Sequence, residues 1–209
     1  MSGEGKRTLV LSLEKSELSD FLEYLEKRMR GRDYSCKYSV DSGLKITLFG
    51  DKEELRDSEA IVRRSYRNFR MVRNPVGGLY RYPSDWLSEH GSISMSLLTL
   101  SLKAAGLTAI WKEDVLHTTL EPEEMIGLMH ELRSLSEEIK YEVKQRKARE
   151  VIIAVSVNSG VSPFDVLELA EEEGFMEKDD EGLWRFKADP ELVMRELIKK
   201  LVGREDYGD

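Results

Sequence analysis

The sequence predicts an α+β protein, and two observations support that class. The spacing of apolar residues alternates between the period of a strand and the period of a helix, with changes at Glu14, Asp33, Asp51, Gly106 and Gly174. The strand-like segments are short, and neighbouring ones are joined by turn residues, a pattern typical of small antiparallel sheets. Because helix-like segments accompany them, we expect each sheet to be covered by helices.

Residues 1–73 predict a βαββα sandwich. Residues 7–13 alternate like a strand, and residues 15–30 then follow helical spacing. Residues 34–48 form two alternating runs around a DSG turn, which predicts a hairpin. A second helix is expected from about residue 51 to residue 71. This order predicts a three-stranded antiparallel sheet with both helices on one face.

The rest of the chain predicts a linker and two further units. Proline and glycine are concentrated in residues 74–91, which we interpret as a linker or loop. Residues 92–143 fit an αββα unit. Residues 144–209 fit a winged-helix-like module, with two helices around a tight turn, a hairpin and a last helix. Its second helix, residues 162–174, begins with a serine cap followed by proline.

The composition predicts a cytoplasmic protein. Cys36 is the one cysteine, so no disulfide can form within the chain, as expected for a reducing compartment. The N-terminus lacks the apolar core of a secretion signal, and no stretch reaches the roughly 18 apolar residues of a membrane span. Charged residues make up 34% of the chain, which has only three asparagines and one glutamine. Such a composition is typical of thermophiles.

One arginine-rich segment contrasts with the acidic chain around it. The net charge is −8, yet residues 61–83 hold six arginines and no acid, so the rest of the chain carries −14. Arg63, Arg67 and Arg70 stand at i, i+4 and i+7 and therefore share one helix face. Guanidinium groups bind phosphate and aromatic rings stack on unpaired bases, which predicts a surface for RNA, with tRNA or rRNA as the expected class. The expected RNA-binding residues are Arg63, Arg64, Arg67, Arg70, Arg73, Tyr80, Arg81 and Tyr82.

Two other interpretations of the arginine segment remain open. Acids from other elements could neutralise the arginines, as they do on thermophile surfaces. An acidic protein could also be the partner. Helix 162–174 carries five acids and no base, so DNA is not expected there, because a helix in a major groove lies between phosphates. That acidic helix suggests the alternative function, a scaffold or adaptor subunit that binds a protein and no nucleic acid.

No catalytic, cofactor or metal site is predicted. The chain has no phosphate-binding glycine loop of either common type. His90, His117 and His130 are far apart and lack metal-ligand spacing with Cys36. Cys36 lies in an alternating strand and is expected to be a buried, unreactive thiol. A pocket that gathered a histidine with carboxylates would instead indicate an enzyme.

Two parts of the chain resemble an archaeal protein family known only as a domain of unknown function, namely the C-terminal pattern REVIIAVSVNSGVSPFDVLELAEEEGFMEKDDEGLWRFKADPELVMRELIKKL and the segment LKAAGLTAIWKED. The βαββα start fits the same family, so the resemblance covers most of the chain and implies an archaeal source. It implies no catalytic or binding residues. In element order alone, the first unit is also similar to the small dimerising subunit of the tRNA threonylcarbamoyl-adenosine complex.

Overall fold

The fold is described by a computed structural model for residues 5–202. Short antiparallel sheets and many helices confirm the predicted α+β class. Within the described residues the strands are β1 (Gly5–Leu11), β2 (Tyr34–Ser39), β3 (Gly43–Gly50), β4 (Tyr80–Pro83), β5 (Ile110–Lys112), β6 (Val115–Thr118), β7 (Met176–Lys178) and β8 (Trp184–Phe186). The helices are α1 (Leu18–Arg28), α2 (Lys52–Arg73), α3 (Ser84–His90), α4 (Met95–Ala104), α5 (Pro122–Glu138), α6 (Arg146–Ser159), α7 (Pro163–Glu172) and α8 (Pro190–Val202).

The chain divides into two compact units after Asn74. Unit 1 comprises residues 1–74 and contains the first three strands and first two helices. Unit 2 comprises residues 75–209 and contains the other described elements. The segments 92–143 and 144–209, predicted as separate units, therefore belong to one unit.

Unit 1 is an antiparallel sheet of order β1-β3-β2, covered on one face by α2, with α1 packed against α2. Alternate residues of β3 point into the helical side, where Leu44, Ile46 and Leu48 are fully buried. Phe21 of α1 meets the ring of Phe69 of α2 edge-on, with 5.2 Å between the centroids. The strand period of two therefore gives the sheet one buried apolar face, while the other face carries mostly polar residues.

Helix α2 begins at a capping box, in which Asp51 and Glu54 exchange hydrogen bonds. The Asp51 carboxylate accepts hydrogen bonds from the backbone N–H groups of Glu53 and Glu54, both at 2.9 Å. The Glu54 carboxylate in turn accepts the backbone N–H of Asp51 at 2.8 Å. These bonds satisfy donors that have no partner inside the helix. Buried residues then recur every three or four positions, including Leu55, Val62 and Phe69, so one stripe of α2 faces the core.

The predicted linker 74–91 is wrong over most of its length. Only the first residues connect the units, through a turn closed by hydrogen bonds between Val76 and Leu79. From Tyr80 onward the chain forms β4, the edge of a sheet of order β4-β6-β5, and then α3. The proline and glycine residues therefore mark a tight turn before a strand.

The remainder of unit 2 packs around α6. Its side chains from Val151 to Val155 are all buried, and α4, α5, α7 and α8 pack against it. A short connection separates α5, which ends at Glu138, from α6, which begins at Arg146. Helices α6 and α7 meet at 111°, and the hairpin β7–β8 and α8 follow.

No single helix in residues 5–202 has the length and apolar character needed to cross a membrane. The bent pair α6 and α7 passes that test only when both helices are counted together.

Replacing the cap of α2 should destabilise unit 1. In Asp51→Ala the two N–H groups that the carboxylate accepts lose their partner, so the free energy of unfolding should fall by about 1 kcal/mol. Urea unfolding followed by circular dichroism measures the loss. Asp57→Ala removes an exposed carboxylate from the same helix without touching the cap and serves as the control. Equal losses in the two variants would contradict the capping role.

Candidate nucleic-acid interface

The predicted arginines of unit 1 lie on the outer side of α2. We call Arg63, Arg64, Arg67, Arg70 and Arg73 the arginine surface. They lie on the side of α2 that faces away from the core. Arg70 is half-buried, and the exposed members are Arg63, Arg64, Arg67 and Arg73. The helical period therefore gathers charges that are spread over eleven residues of sequence.

Acidic side chains neutralise part of the arginine surface. Arg63 donates from Nε to Glu59 at 2.8 Å, and Glu59 also pairs with Arg7 of β1. Arg70 donates from Nη1 to both Glu17 oxygens, at 3.0 and 3.1 Å. Neutralisation by acids, the first alternative interpretation, therefore holds for part of the surface.

Other arginines of this surface have different surroundings. Arg73 pairs with Asp20 of α1 and lies over the Phe69 ring, 4.9 Å from its centroid. Arg67 is exposed, and no carboxylate in the described part of the chain lies within ion-pair distance of it. Three arginines of the surface thus pair with carboxylates, one of which is shared with Arg7. Arg67 keeps its guanidinium group for an external anion.

These ion pairs are accessible to solvent from the arginine side. The side chains of Arg63 and Arg70 are 61% and 38% exposed, whereas their partners Glu59 and Glu17 are only 19% and 13% exposed. An external anion can therefore reach the guanidinium groups, while the carboxylates stay on the protein side of each pair. The hydrogen bonds from Arg63 and Arg7 lower the pKa of Glu59 below its ordinary value of 4.5.

Tyr80, Arg81 and Tyr82 belong to unit 2, where they form β4. Tyr82 is fully buried, and its hydroxyl donates to the Leu120 carbonyl at 2.7 Å. Burial raises the pKa of Tyr82. Its predicted role as a platform for a base is therefore wrong, because neither face of the ring is open to a ligand.

The two other predicted residues of β4 are half-buried. The Tyr80 ring stacks on Tyr82 with 6.4 Å between centroids. Arg81 pairs in register with His117 of β6. Burial, followed by the charges of Lys112 and Arg81, lowers the pKa of His117. These side chains are fixed in the sheet of unit 2, whereas the arginine surface belongs to unit 1.

The histidines and the cysteine do not gather into a metal centre in residues 5–202, where no group of three or more His, Cys, Asp or Glu could hold a metal ion. His90 stacks on Trp86, with 4.0 Å between ring centroids, and bonds to its carbonyl. His130 is exposed on α5. Cys36 is exposed on the edge strand β2, so its predicted burial is wrong. The alternating pattern correctly predicts that the Cys36 side chain points to the helical face. It does not predict how far the side chain lies from the core.

Sequence reasoning missed a second basic surface in unit 1. The sheet face turned away from α2 carries Lys6, Lys37 and Lys45, all exposed. The signal was present in the sequence, since each lysine alternates with residues of the helical face. The register that brings two of them together was not predictable from spacing alone.

The comparison with protein families matches residues 13–195 to "Uncharacterized protein conserved in archaea (DUF2067)". The chain belongs to this archaeal family. The match covers both units and confirms the resemblance carried by the C-terminal pattern and by the segment LKAAGLTAIWKED. No curated protein and no solved structure matches the chain.

The Glu59 ion pairs should make stability depend on pH. A carboxylate with a lowered folded pKa stabilises the fold above its unfolded pKa, and the contribution disappears as pH falls through the folded pKa. Glu59→Gln should therefore unfold at lower urea than the wild type near neutral pH. The difference in urea midpoint between the variant and the wild type should disappear well below pH 4.5. Glu131→Gln, which changes an exposed carboxylate of α5, is the control. A gap that persists in acid would show that Glu59 acts through packing.

Proposed function

We propose that this protein binds RNA through unit 1, with tRNA or rRNA as the class of RNA. The observation that carries the proposal is the division of charge between the units. Residues 1–74 contain 16 Lys and Arg against 13 Asp and Glu, a net charge of +3. Residues 75–209 contain 16 against 27, a net charge of −11. Charge asymmetry of this size between halves of a chain favours a polyanionic partner for the basic half.

The arginine surface supplies the phosphate contacts in this proposal. Arg67 offers its whole guanidinium group, and Arg63 and Arg70 keep donors that their carboxylate partners do not use. A guanidinium carries five N–H donors in a fixed plane, so it can bind a phosphate while keeping one bond to a neighbour. The acidic unit 2 repels nucleic acid and restricts the footprint to unit 1.

Removing three charges from the arginine surface should weaken RNA binding and its dependence on salt. We expect Arg63→Gln/Arg67→Gln/Arg70→Gln to bind archaeal tRNA and rRNA fractions more weakly than the wild type. The slope of log affinity against log salt concentration should decrease in magnitude by up to about 2.7, or about 0.9 for each phosphate that the variant no longer neutralises. Fluorescence titration at several salt concentrations measures both quantities.

A matched control removes three charges elsewhere. Lys103→Gln/Lys112→Gln/Arg133→Gln alters three exposed cations of unit 2 and changes the net charge by the same amount. It should leave the affinity nearly unchanged. The proposal is wrong if the wild type binds neither fraction, or if both triple variants weaken binding equally. Circular dichroism checks that each variant is folded.

The competing function is an adaptor that binds a protein through α7. The outer side of this helix presents Asp165, Glu168 and Glu171, all exposed, and beside them Phe164, which is 41% exposed. An exposed aromatic ring among acids fits a basic protein partner with an apolar contact. A protein recovered with the native chain after nuclease treatment, and lost in Phe164→Ser/Glu168→Gln, would favour this function.

Three further features belong to the proposal. The 111° between α6 and α7, followed by a hairpin and a helix, supports a winged-helix-like module, since helix–turn–helix pairs meet at roughly 90–120°. Its acidic α7 does not fit the DNA-reading role of a recognition helix. The many charges and few amides support a thermophilic source. We place the protein in the cytoplasm, where tRNA and rRNA occur.

A further inference from the structure

The three strands of unit 1 contain four basic residues and no acid. Arg7 lies on the helical side and pairs with Glu59. Lys6, Lys37 and Lys45 point to the opposite side, which we call the open sheet face. No ion pair joins these three lysines to a described carboxylate. The open sheet face is therefore basic, and its own strands supply nothing to neutralise it.

The register arranges the open sheet face in rows across the strands. Thr8, Thr47 and Ser35 lie side by side and form a central row of short hydroxyl side chains. One neighbouring row contains Lys45 beside Lys37. Rows on the same face are separated by two residues, or about 6.7 Å along the strand. Short side chains between longer ones make a shallow trough that crosses the sheet.

Lys37 and Lys45 stand directly opposite each other on adjacent strands. Like charges in this arrangement destabilise an antiparallel pair, because their Cβ atoms are only about 5 Å apart. None of the three strands contains an acid that could offset the repulsion. The pair therefore gives the fold no stability by itself, whereas an external anion bound between the two ammonium groups would.

Apolar groups are exposed next to the lysines. Val10 is 61% exposed and is the β1 neighbour of Lys45. Phe49, 38% exposed, is the β3 neighbour of Lys6 in the row on the other side of the hydroxyl trough. An aromatic ring on an open sheet face provides a surface on which an unpaired base can stack.

The two ends of the open sheet face differ in charge. Lys6 and Phe49 line a cavity of about 1000 Å³ in which acids outnumber bases, the other charged lining residues being Asp33, Asp51, Glu53, Glu54, Asp57, Arg30 and Arg32. Carboxylates close to Lys6 weaken its attraction for phosphate. Lys37 and Lys45 have no such neighbours within the strands. We expect the phosphate contacts at the Lys37–Lys45 end and base stacking at the Phe49 end.

We infer that the open sheet face binds an unpaired stretch of RNA. The RNA backbone would pass Lys37 and Lys45 while one base stacks on Phe49. The row of hydroxyl side chains would form hydrogen bonds with sugars and with the edges of bases. A duplex keeps its bases stacked inside and would reach only the lysines, so the Phe49 contact selects single strands. This inference rests on the proposed function and adds that part of the RNA is single-stranded.

The test uses the full chain and a single-stranded RNA oligonucleotide of about 12 nucleotides, a length within the range that single-strand platforms cover. A duplex of the same length is the second probe. Lys37→Gln/Lys45→Gln should reduce affinity for the single strand and flatten its salt dependence by about 1.4, or 0.7 for each phosphate that is no longer neutralised. The variant should unfold at the same or higher urea concentration, because the repulsion between the lysines is gone.

Phe49→Ser separates stacking from charge. We expect about a tenfold loss of affinity for the single strand, an unchanged salt dependence, and little change for the duplex. Equal losses for both probes would overturn the assignment to single strands. Polyglutamate that competes as strongly as the oligonucleotide, and equally against Phe49→Ser, would assign the surface to acidic protein segments and also overturn it.

The two proposals fail in different ways. If the lysine variant binds like the wild type while the triple variant of the arginine surface does not, the inference is wrong and the proposed function stands. If the lysine and Phe49 variants lose binding while the triple arginine variant does not, the inference stands and the arginine surface is not the RNA site. Absence of RNA binding by the wild type overturns both.

Discussion

Unit 1 depends on a sheet of three strands that is covered on one face only. Leu44, Ile46 and Leu48 of β3 bury completely against the helical layer, and the buried stripe of α2 closes over them. Burying aliphatic side chains supplies most of the driving force for this packing. The same geometry determines two outward surfaces, because whatever does not face the core must face solvent. One is the arginine surface of α2, and the other is the open sheet face.

Acids and bases have different tasks in this unit. Asp51 and Glu54 form the cap of α2. Glu17 takes part in the capping box at the turn before α1 and also binds Arg70. Glu59 joins β1 to α2 by bonding Arg7 and Arg63. These carboxylates therefore have local structural roles, whereas Arg67, Lys37 and Lys45 have no bond in the described chain that explains their charge.

The sequence predicts features that depend on residues close together in the chain. It does not predict contacts between residues that are far apart in the chain. Periodicity is a local signal, so the strands of unit 1 and the face shared by Arg63, Arg67 and Arg70 were predictable. The Arg70–Glu17 pair spans 53 residues of sequence, and no spacing rule anticipates it. The glycines before Tyr82 predict a loop, yet the hydrogen-bond partner of Tyr82, Leu120, is 38 residues away. Its burial depends on β6, which pairs with β4 from a distant part of the chain.

The opposition of Lys37 and Lys45 shows why register matters for function. Each lysine alone is an ordinary exposed residue of a strand, and the sequence gives no reason to connect them. A shift of the β2–β3 register by one residue would place Lys37 opposite a core residue and turn the apolar side chains of β2 to solvent. The buried row of β3 therefore fixes the pairing, and the pairing creates the concentrated charge. The core residues that stabilise the sheet also position its lysines. Substitutions in the core therefore change the positions of the lysines on the open sheet face even when no residue of that face is substituted.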